Sequence, residues 1–338
     1  MAMARSVVVN AEVTPYYHVI SRCVRRAFLC GFDSLTRRNF DHRKSWLVER
    51  LYQLSALFAV DICAYGIMSN HFHLVVRIDS KQARSWSEEE VTRRWCSLFP
   101  GGRKRLLALS KKDRSRQIEI WRERLYSLSW FMRCLNEAIA RRANREDGCT
   151  GRFWEGRFRA QALVDEGALL TCMSYVDLNP IRAGIATTLE GSLYTSVRER
   201  LLAKKKLEGR AQFKSKRARR TGWAQSRGWL APFADEASAH RERAVPLPFA
   251  RDDYIALLRS AAAVLAGQVP GISEAAGNVL ARFGLRAAGF IQTLNNFPRT
   301  FFTMVGHVQK IRIIGSNRGL RRVKGTGGAR RLYISAAA

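Results

Sequence analysis

Residues 71–78, His-Phe-His-Leu-Val-Val-Arg-Ile, carry the alternation of an extended strand. Successive side chains of a strand point to opposite faces, so His71, His73, Val75 and Arg77 share one side and Phe72, Leu74, Val76 and Ile78 the other. The second side is wholly apolar and demands a packed layer against it. The first carries two imidazoles about 6.6 Å apart along the backbone, near enough for both rings to converge on one ion. A pair of half-exposed polar residues would read the same way. Of six histidines the other four, His18, His42, His240 and His307, are scattered, so the pair needs an explanation.

The surrounding pattern supplies a fold. A strand at Ile62–Ile67 and a tight turn at Met68-Ser69-Asn70 make an antiparallel pair with the histidine strand. Before them come a first strand at Tyr16–Cys23 and a helix over His42–Val60, where Trp46, Leu47, Leu51, Leu54, Leu57 and Phe58 recur at helical spacing. After them Leu125, Leu128, Met132, Leu135 and Ile139 step by three and four along a second helix with Arg141, Arg142 and Arg145 at its end. A strand at Arg152–Ala162 follows. Strand, helix, strand, strand, helix, strand is the order of a ferredoxin-like α+β sandwich with an antiparallel sheet. Its two helices would cover the apolar face, leaving the histidine face for one further helix.

That helix begins after Asp165, a good cap residue, and is expected to stop at Pro180, whose ring prevents continuation. Tyr175 and Asn179 stand at i and i+4 and share a helix face with Ala168 and Thr171. Asn179 precedes a proline, which pushes it out of helical geometry and frees its amide oxygen for a partner. A tyrosine packed on the sheet and an Asn-Pro helix stop would leave the same residues.

Together, Asn70-His71-Phe72-His73 and the later Tyr175-x-x-x-Asn179-Pro180-x-Arg182-Ala183-Gly184 resemble the HUH single-tyrosine transposases, in their REP-associated tyrosine transposase branch. Tyr17-His18-Val19-Ile20-Ser21-Arg22 and Gly151-Arg152-Phe153-Trp154-Glu155-Gly156-Arg157-Phe158 extend the likeness over about residues 14 to 200. Where the family usually has a proline in the turn before the histidines, this chain has Ser69. The resemblance implies an HUH endonuclease fold and a divalent metal, Mg²⁺ or Mn²⁺, held by His71, His73 and Asn179. Tyr175 would be the nucleophile, forming a 5′-phosphotyrosine link to single-stranded or hairpin DNA from repetitive palindromes. Imidazole ligands alone would suit Zn²⁺ or Mn²⁺. Many related initiators and relaxases pair two tyrosines on the helix, and Asn at 179 favours a single-tyrosine enzyme.

Charge agrees with a polyanionic partner, most simply nucleic acid: 58 Lys and Arg against 28 Asp and Glu leave the 338-residue chain at +30, and neutralising phosphates releases counterions. A ribosomal or membrane-surface role would give the same charge. Arginines interleaved with aromatics suit a single strand of nucleic acid, and Arg22, Arg77, Arg152, Trp154, Arg157, Arg159 and Arg182 are the candidate contacts. The competing reading makes the aromatics core and the arginines merely solvated. A non-catalytic regulator binding DNA hairpins or RNA would keep the charge without needing His71, His73, Tyr175 and Asn179 together.

Domain organisation follows from composition. The catalytic unit is expected over residues 1–200, with an insertion at about 80–120. In it Ser87 and Glu90 form a capping box and Arg103–Arg116 reads as a basic loop or arm. Residues 201–222 form a basic linker, and 223–338 a small, mainly helical C-terminal domain, with 301–314 ambiguous between helix and strand. Seven cysteines without a Cys-x-x-Cys pair read as reduced thiols of a cytoplasmic protein. The first residues are too short an apolar run for a secretory signal, and no apolar stretch is long enough for a membrane span. A monomer or a homodimer fits equally.

Overall fold

The computed structural model describes residues 9–10, 13–24, 29–32, 37–209, 228–239, 245–319 and 323–334. It is an α+β fold built on one mixed five-stranded sheet, with strand order β2-β3-β1-β4-β5. The strands are β1 (Tyr16–Arg22), β2 (Val60–Ile67), β3 (His71–Ile78), β4 (Arg159–Leu163) and β5 (Met304–Val305). The first four pair antiparallel with one another, and β5 runs parallel to β4. Part of the basic linker, from 210 to 222, lies outside the described residues.

One face of the sheet carries Tyr17, Val19, Phe72, Leu74 and Val76, all buried. Helices α1 (His42–Leu57) and α6 (Leu128–Glu146) pack together on the same side of the chain fold, as the helical stripes require. Between β3 and α6 the insertion is helical: α2 (Ser80–Ser85), α3 (Glu88–Leu98), α4 (Gly102–Leu107) and α5 (Lys111–Leu125). Ser87 accepts from the Glu90 N–H at 3.1 Å, as its capping position predicts. The expected basic loop at Arg103–Arg116 is instead parts of α4 and α5. Ser110 caps α5, and the apolar stripe that anchors it, Ile118, Trp121 and Leu125, lies beyond the basic window. Trp121 stacks on Trp95, with ring centroids 5.6 Å apart, in a small tryptophan-rich core of its own.

The predicted strand from Arg152 is regular only from Arg159. Residues 152–158 run irregularly, tied by an isolated bridge between Cys23 and Trp154, because Phe153, Trp154 and Phe158 turn into the core.

The other face is covered by α7 (Glu166–Asp177), which is buried on all sides, the expected state of a helix apolar all round. Two carboxylates fix its ends. Asp165 caps it, accepting from the Ala168 N–H at 2.8 Å, and also accepts from the His307 N–H and the Tyr333 hydroxyl. Asp177 accepts from the Ser196 hydroxyl, the Val197 N–H and the Tyr254 hydroxyl. Gly66 on β2 permits the close approach of α7: a Cβ there would sit 2.8 Å from the Val176 carbonyl oxygen. Helix α7 does not run on to Pro180 but ends at Asp177, with Leu178 as its C-cap. Asn179–Arg182 form a short helix α8 with Pro180 in its first turn, where a missing N–H costs nothing.

Residues expected to stand apart as a C-terminal extension share this core. After α9 (Ser196–Gly209) come α10 (Arg251–Leu265), α11 (Glu274–Arg282), α12 (Ala287–Thr300), α13 (Val308–Asn317) and α14 (Thr326–Leu332). Tyr254, Phe290, Phe297 and Met304 belong to the same apolar cluster as the sheet. The ambiguous segment 301–314 holds both kinds of element, β5 and then α13. No described helix is long and apolar enough to cross a membrane, and the seven cysteines are free thiols.

Candidate active site

Register decides which polar side chains meet. His73 on β3 pairs with Ile20 on β1, and His18 on β1 pairs with Val75 on β3 and with Gln161 on β4. Directly paired residues of an antiparallel ladder share a face and diagonal ones lie within reach. His71, His73, His18 and Gln161 therefore form a polar row across the face beneath α7, with Arg22 directly opposite His71.

Tyr175 comes down onto this row from α7. Its ring meets that of His73 edge-on, with centroids 5.4 Å apart and planes at 86°, and that of His18 at 6.1 Å. His71 and His73 stand 4.9 Å apart at 81°. Phe297 of α12 stacks on the Tyr175 ring, 4.7 Å away, and the tyrosine is only 2% exposed.

Among the described residues, the hydrogen bonds leave two imidazole nitrogens unused by protein. His71 Nδ1 lies 2.6 Å from the Asn70 side-chain oxygen. His73 Nδ1 lies 2.9 Å from His18 Nε2, and His18 Nδ1 lies 2.7 Å from Gln161 Oε1. His73 Nε2 is buried with no hydrogen-bond partner among the described residues. Leaving such an atom unpaired costs about 1–3 kcal/mol, so it calls for a reason.

Burial holds the three rings neutral. It lowers His18 to about 4. His71 falls to about 4 through burial and the nearby positive charges of Arg22 and Arg182, and His73 well below its usual value by burial and its histidine neighbours. Neutral imidazole is the ligating form. Burial also raises the Tyr175 phenol, against which Arg182 and Arg22 pull downward. Arg182 lies 5.2 Å over the Tyr175 ring.

Asn179 departs from expectation. It is buried, but its side-chain oxygen accepts from Arg182 at 2.6 Å, and it is the nitrogen that lacks a partner. A guanidinium thus stands on that oxygen where a metal ion was expected. The cause is local, since α8 places Arg182 one turn beyond Asn179.

The candidate nucleic-acid contacts divide. Arg22, Arg152, Arg157 and Arg159 are exposed and Arg182 is half-buried at the site. Arg77 is instead paired with Asp61 at 2.8 Å and Asp79 at 3.0 Å. Trp154 is 8% exposed, donates to the Asn136 carbonyl and packs edge-on against Phe72, which makes it core and no platform for a base.

The sequence singles out His18 only within the Tyr17–Arg22 motif, with no role of its own, and Gln161 not at all. Only the pairing of β1 with both β3 and β4 brings the two beside His73.

No family model matches the chain, and no curated protein matches it. Among solved structures it is similar to a REP-associated tyrosine transposase bound to a REP hairpin, at 11% identity and a TM-score of 0.34, over 56% of this chain and 81% of that one. At those values the likeness decides nothing about chemistry, which rests on the side chains above.

Proposed function

We propose that this protein is a metal-dependent single-stranded DNA endonuclease and strand transferase, and more particularly a single-tyrosine transposase acting on hairpins of repetitive palindromic sequence. The observation that carries the reading is the contact between Tyr175 and His73, whose Nε2 is buried with no hydrogen-bond partner among the described residues. On this reading β1–β4 with α1 and α6 are the ferredoxin-like core of an HUH endonuclease.

The donor set fits a divalent cation in part. His71 and His73 each have one ring nitrogen engaged by protein and the other available, the usual state of ligating imidazoles. Asn179 would join them with the lone pair of its oxygen that Arg182 leaves free, or once Arg182 releases it. No cluster of three or more His, Cys, Asp or Glu able to hold a metal occurs among the described residues, so two imidazoles would need oxygen donors from Asn179, water or the DNA phosphate. When bound, Mg²⁺ or Mn²⁺ would neutralise the scissile phosphate as negative charge builds there.

The chain's own groups do the rest. Arg22 and Arg182 supply positive charge around the phosphate and favour the phenolate of Tyr175. Tyr175 Oη attacks phosphorus: an O–P bond forms, the bond from phosphorus to the 3′ oxygen breaks, and the proton lost by the phenol ends on the departing oxygen. The products are a 5′-phosphotyrosine and a free 3′-hydroxyl, and the step is reversible because one phosphodiester replaces another. Arg152, Arg157 and Arg159 would hold the incoming strand.

A second reading, a non-catalytic binder of DNA hairpins or RNA, is favoured by two observations: Phe297 covers Tyr175, and Arg182 holds the Asn179 oxygen. An adduct assay separates the two. Incubated with single-stranded hairpin DNA and Mg²⁺ or Mn²⁺, the wild-type protein is expected to form a denaturation-resistant adduct that Tyr175→Phe abolishes while still binding DNA. Binding without any adduct selects the second reading.

A further inference from the structure

The hydrogen bonds behind His73 can be followed to an end that allows one solution. The Phe301 carbonyl oxygen can only accept, and the Gln161 side-chain nitrogen donates to it at 2.9 Å. The amide must therefore present Oε1 to His18; the reverse orientation would face two acceptors. Oε1 can only accept, so the hydrogen of that 2.7 Å contact is on His18 Nδ1. A neutral imidazole carries one hydrogen, which leaves His18 Nε2 as a lone pair. The 2.9 Å contact to His73 must then use a hydrogen on His73 Nδ1. His73 Nε2 is left bare, and that atom is buried with no partner among the described residues.

We propose that Phe301, Gln161 and His18 form a tautomer relay that holds His73 in its Nδ1–H form, so that Nε2 always presents a lone pair to a divalent cation. His18 and Gln161 are positioning residues in this scheme, acting through His73 without touching substrate. The inference rests on the reading of His73 as a metal ligand. Its physical motive is that an imidazole protonated at Nε2 cannot ligate there, and that groups which orient a ligating histidine from behind raise its basicity. The relay also ties the site to the C-terminal segment, because its terminal acceptor lies just after α12, whose Phe297 stacks on Tyr175. The near-parallel His18 and His73 rings, 15° apart, suit an in-plane nitrogen-to-nitrogen hydrogen bond.

The test uses the full chain with ¹⁵N-labelled histidine. Long-range ¹H–¹⁵N spectra of the metal-free protein are expected to show His73 protonated at Nδ1 and bare at Nε2. Gln161→Leu removes the acceptor that sets the direction, and Gln161→Glu restores one. In calorimetric titrations with Mn²⁺ the leucine variant should bind about tenfold or more weakly, with its His73 hydrogen redistributed toward Nε2, and the glutamate variant should approach wild type. A wild-type His73 protonated at Nε2 overturns the relay, even if Gln161→Leu fails to fold. So does a folded leucine variant with unchanged tautomer and Mn²⁺ affinity. If the tautomers follow the relay but no form binds Mn²⁺, the relay stands and the metal-ligand reading falls.

Discussion

The two faces of the central sheet use the same backbone for opposite ends. Beneath α1 and α6 the face is apolar, with Phe72, Leu74 and Val76 of β3 fully buried. Beneath α7 the same strand presents His71 and His73, continued by His18 and Gln161. The first face stabilises the fold by removing apolar area from water. The second buries polar groups, which is tolerated only because hydrogen bonds satisfy them, and even then the buried His73 Nε2 has no partner among the described residues. Adjacent residues of one strand, Phe72 and His73, thus divide apolar packing from the polar row proposed to carry the chemistry.

That division is best broken at those two positions. Phe72→Ala should cost about 3–5 kcal/mol of stability by the cavity it opens, read by urea denaturation, while the remaining folded molecules keep their Mn²⁺ affinity. His73→Gln should do the reverse, unfolding near the wild-type midpoint and losing Mn²⁺ binding and adduct formation. Equal stability losses at both positions would erase the distinction.

The polar face should also betray itself with pH. His18 titrates near 6.5 in the unfolded chain and at about 4 in the folded one. The unfolded state therefore takes up the proton first as pH falls through that window, and stability declines between about pH 6.5 and 4. The full displacement corresponds to roughly 3 kcal/mol for His18 alone, and His71 acts in the same direction. Melting curves from pH 7.5 to 4 are expected to slope less steeply in His18→Phe. A wild-type curve flat across that range would contradict the neutral buried rings.

A smaller effect concerns how closely α7 approaches the sheet. Gly66→Ala places a methyl group against the Val176 carbonyl, so α7 must shift and carry Tyr175 with it. Adduct yield should fall more than thermal stability does, and an unchanged yield would show that the close approach does not position the nucleophile. Smallest of all, Arg157→Ala or Arg159→Ala should lower the salt dependence of binding to single-stranded DNA by about 0.7 for each phosphate no longer neutralised. Arg77→Gln should leave that slope alone, because its charge is already spent on Asp61 and Asp79.

How much of this was legible follows from the range of each interaction. Strands β1 to β3 and helices α1, α6 and α7 are written in local periodicity, so their existence could be read directly. The meeting of Tyr175 with the histidines was readable only from two distant motifs taken together. His18 and Gln161 depend on β1 lying between β3 and β4. The helical character of Arg103–Arg116 hinges on Trp121 finding Trp95, a contact between separate helices. Trp154 misled because aromatics beside arginines look alike in a core and on a nucleic-acid surface. Asn179 misled for a nearer reason: Arg182, one turn on, competes for the same oxygen.

The most direct test of Tyr175 as nucleophile is to locate the covalent link. The segment Ala160–Arg182 contains no internal Lys or Arg, so trypsin releases Tyr175 within it. Mass spectrometry of the digested adduct, formed with hairpin DNA and Mn²⁺, should find that peptide carrying a nucleotide on Tyr175. A nucleotide on any other residue, or no modified peptide under conditions where the DNA is bound, would contradict this role for Tyr175.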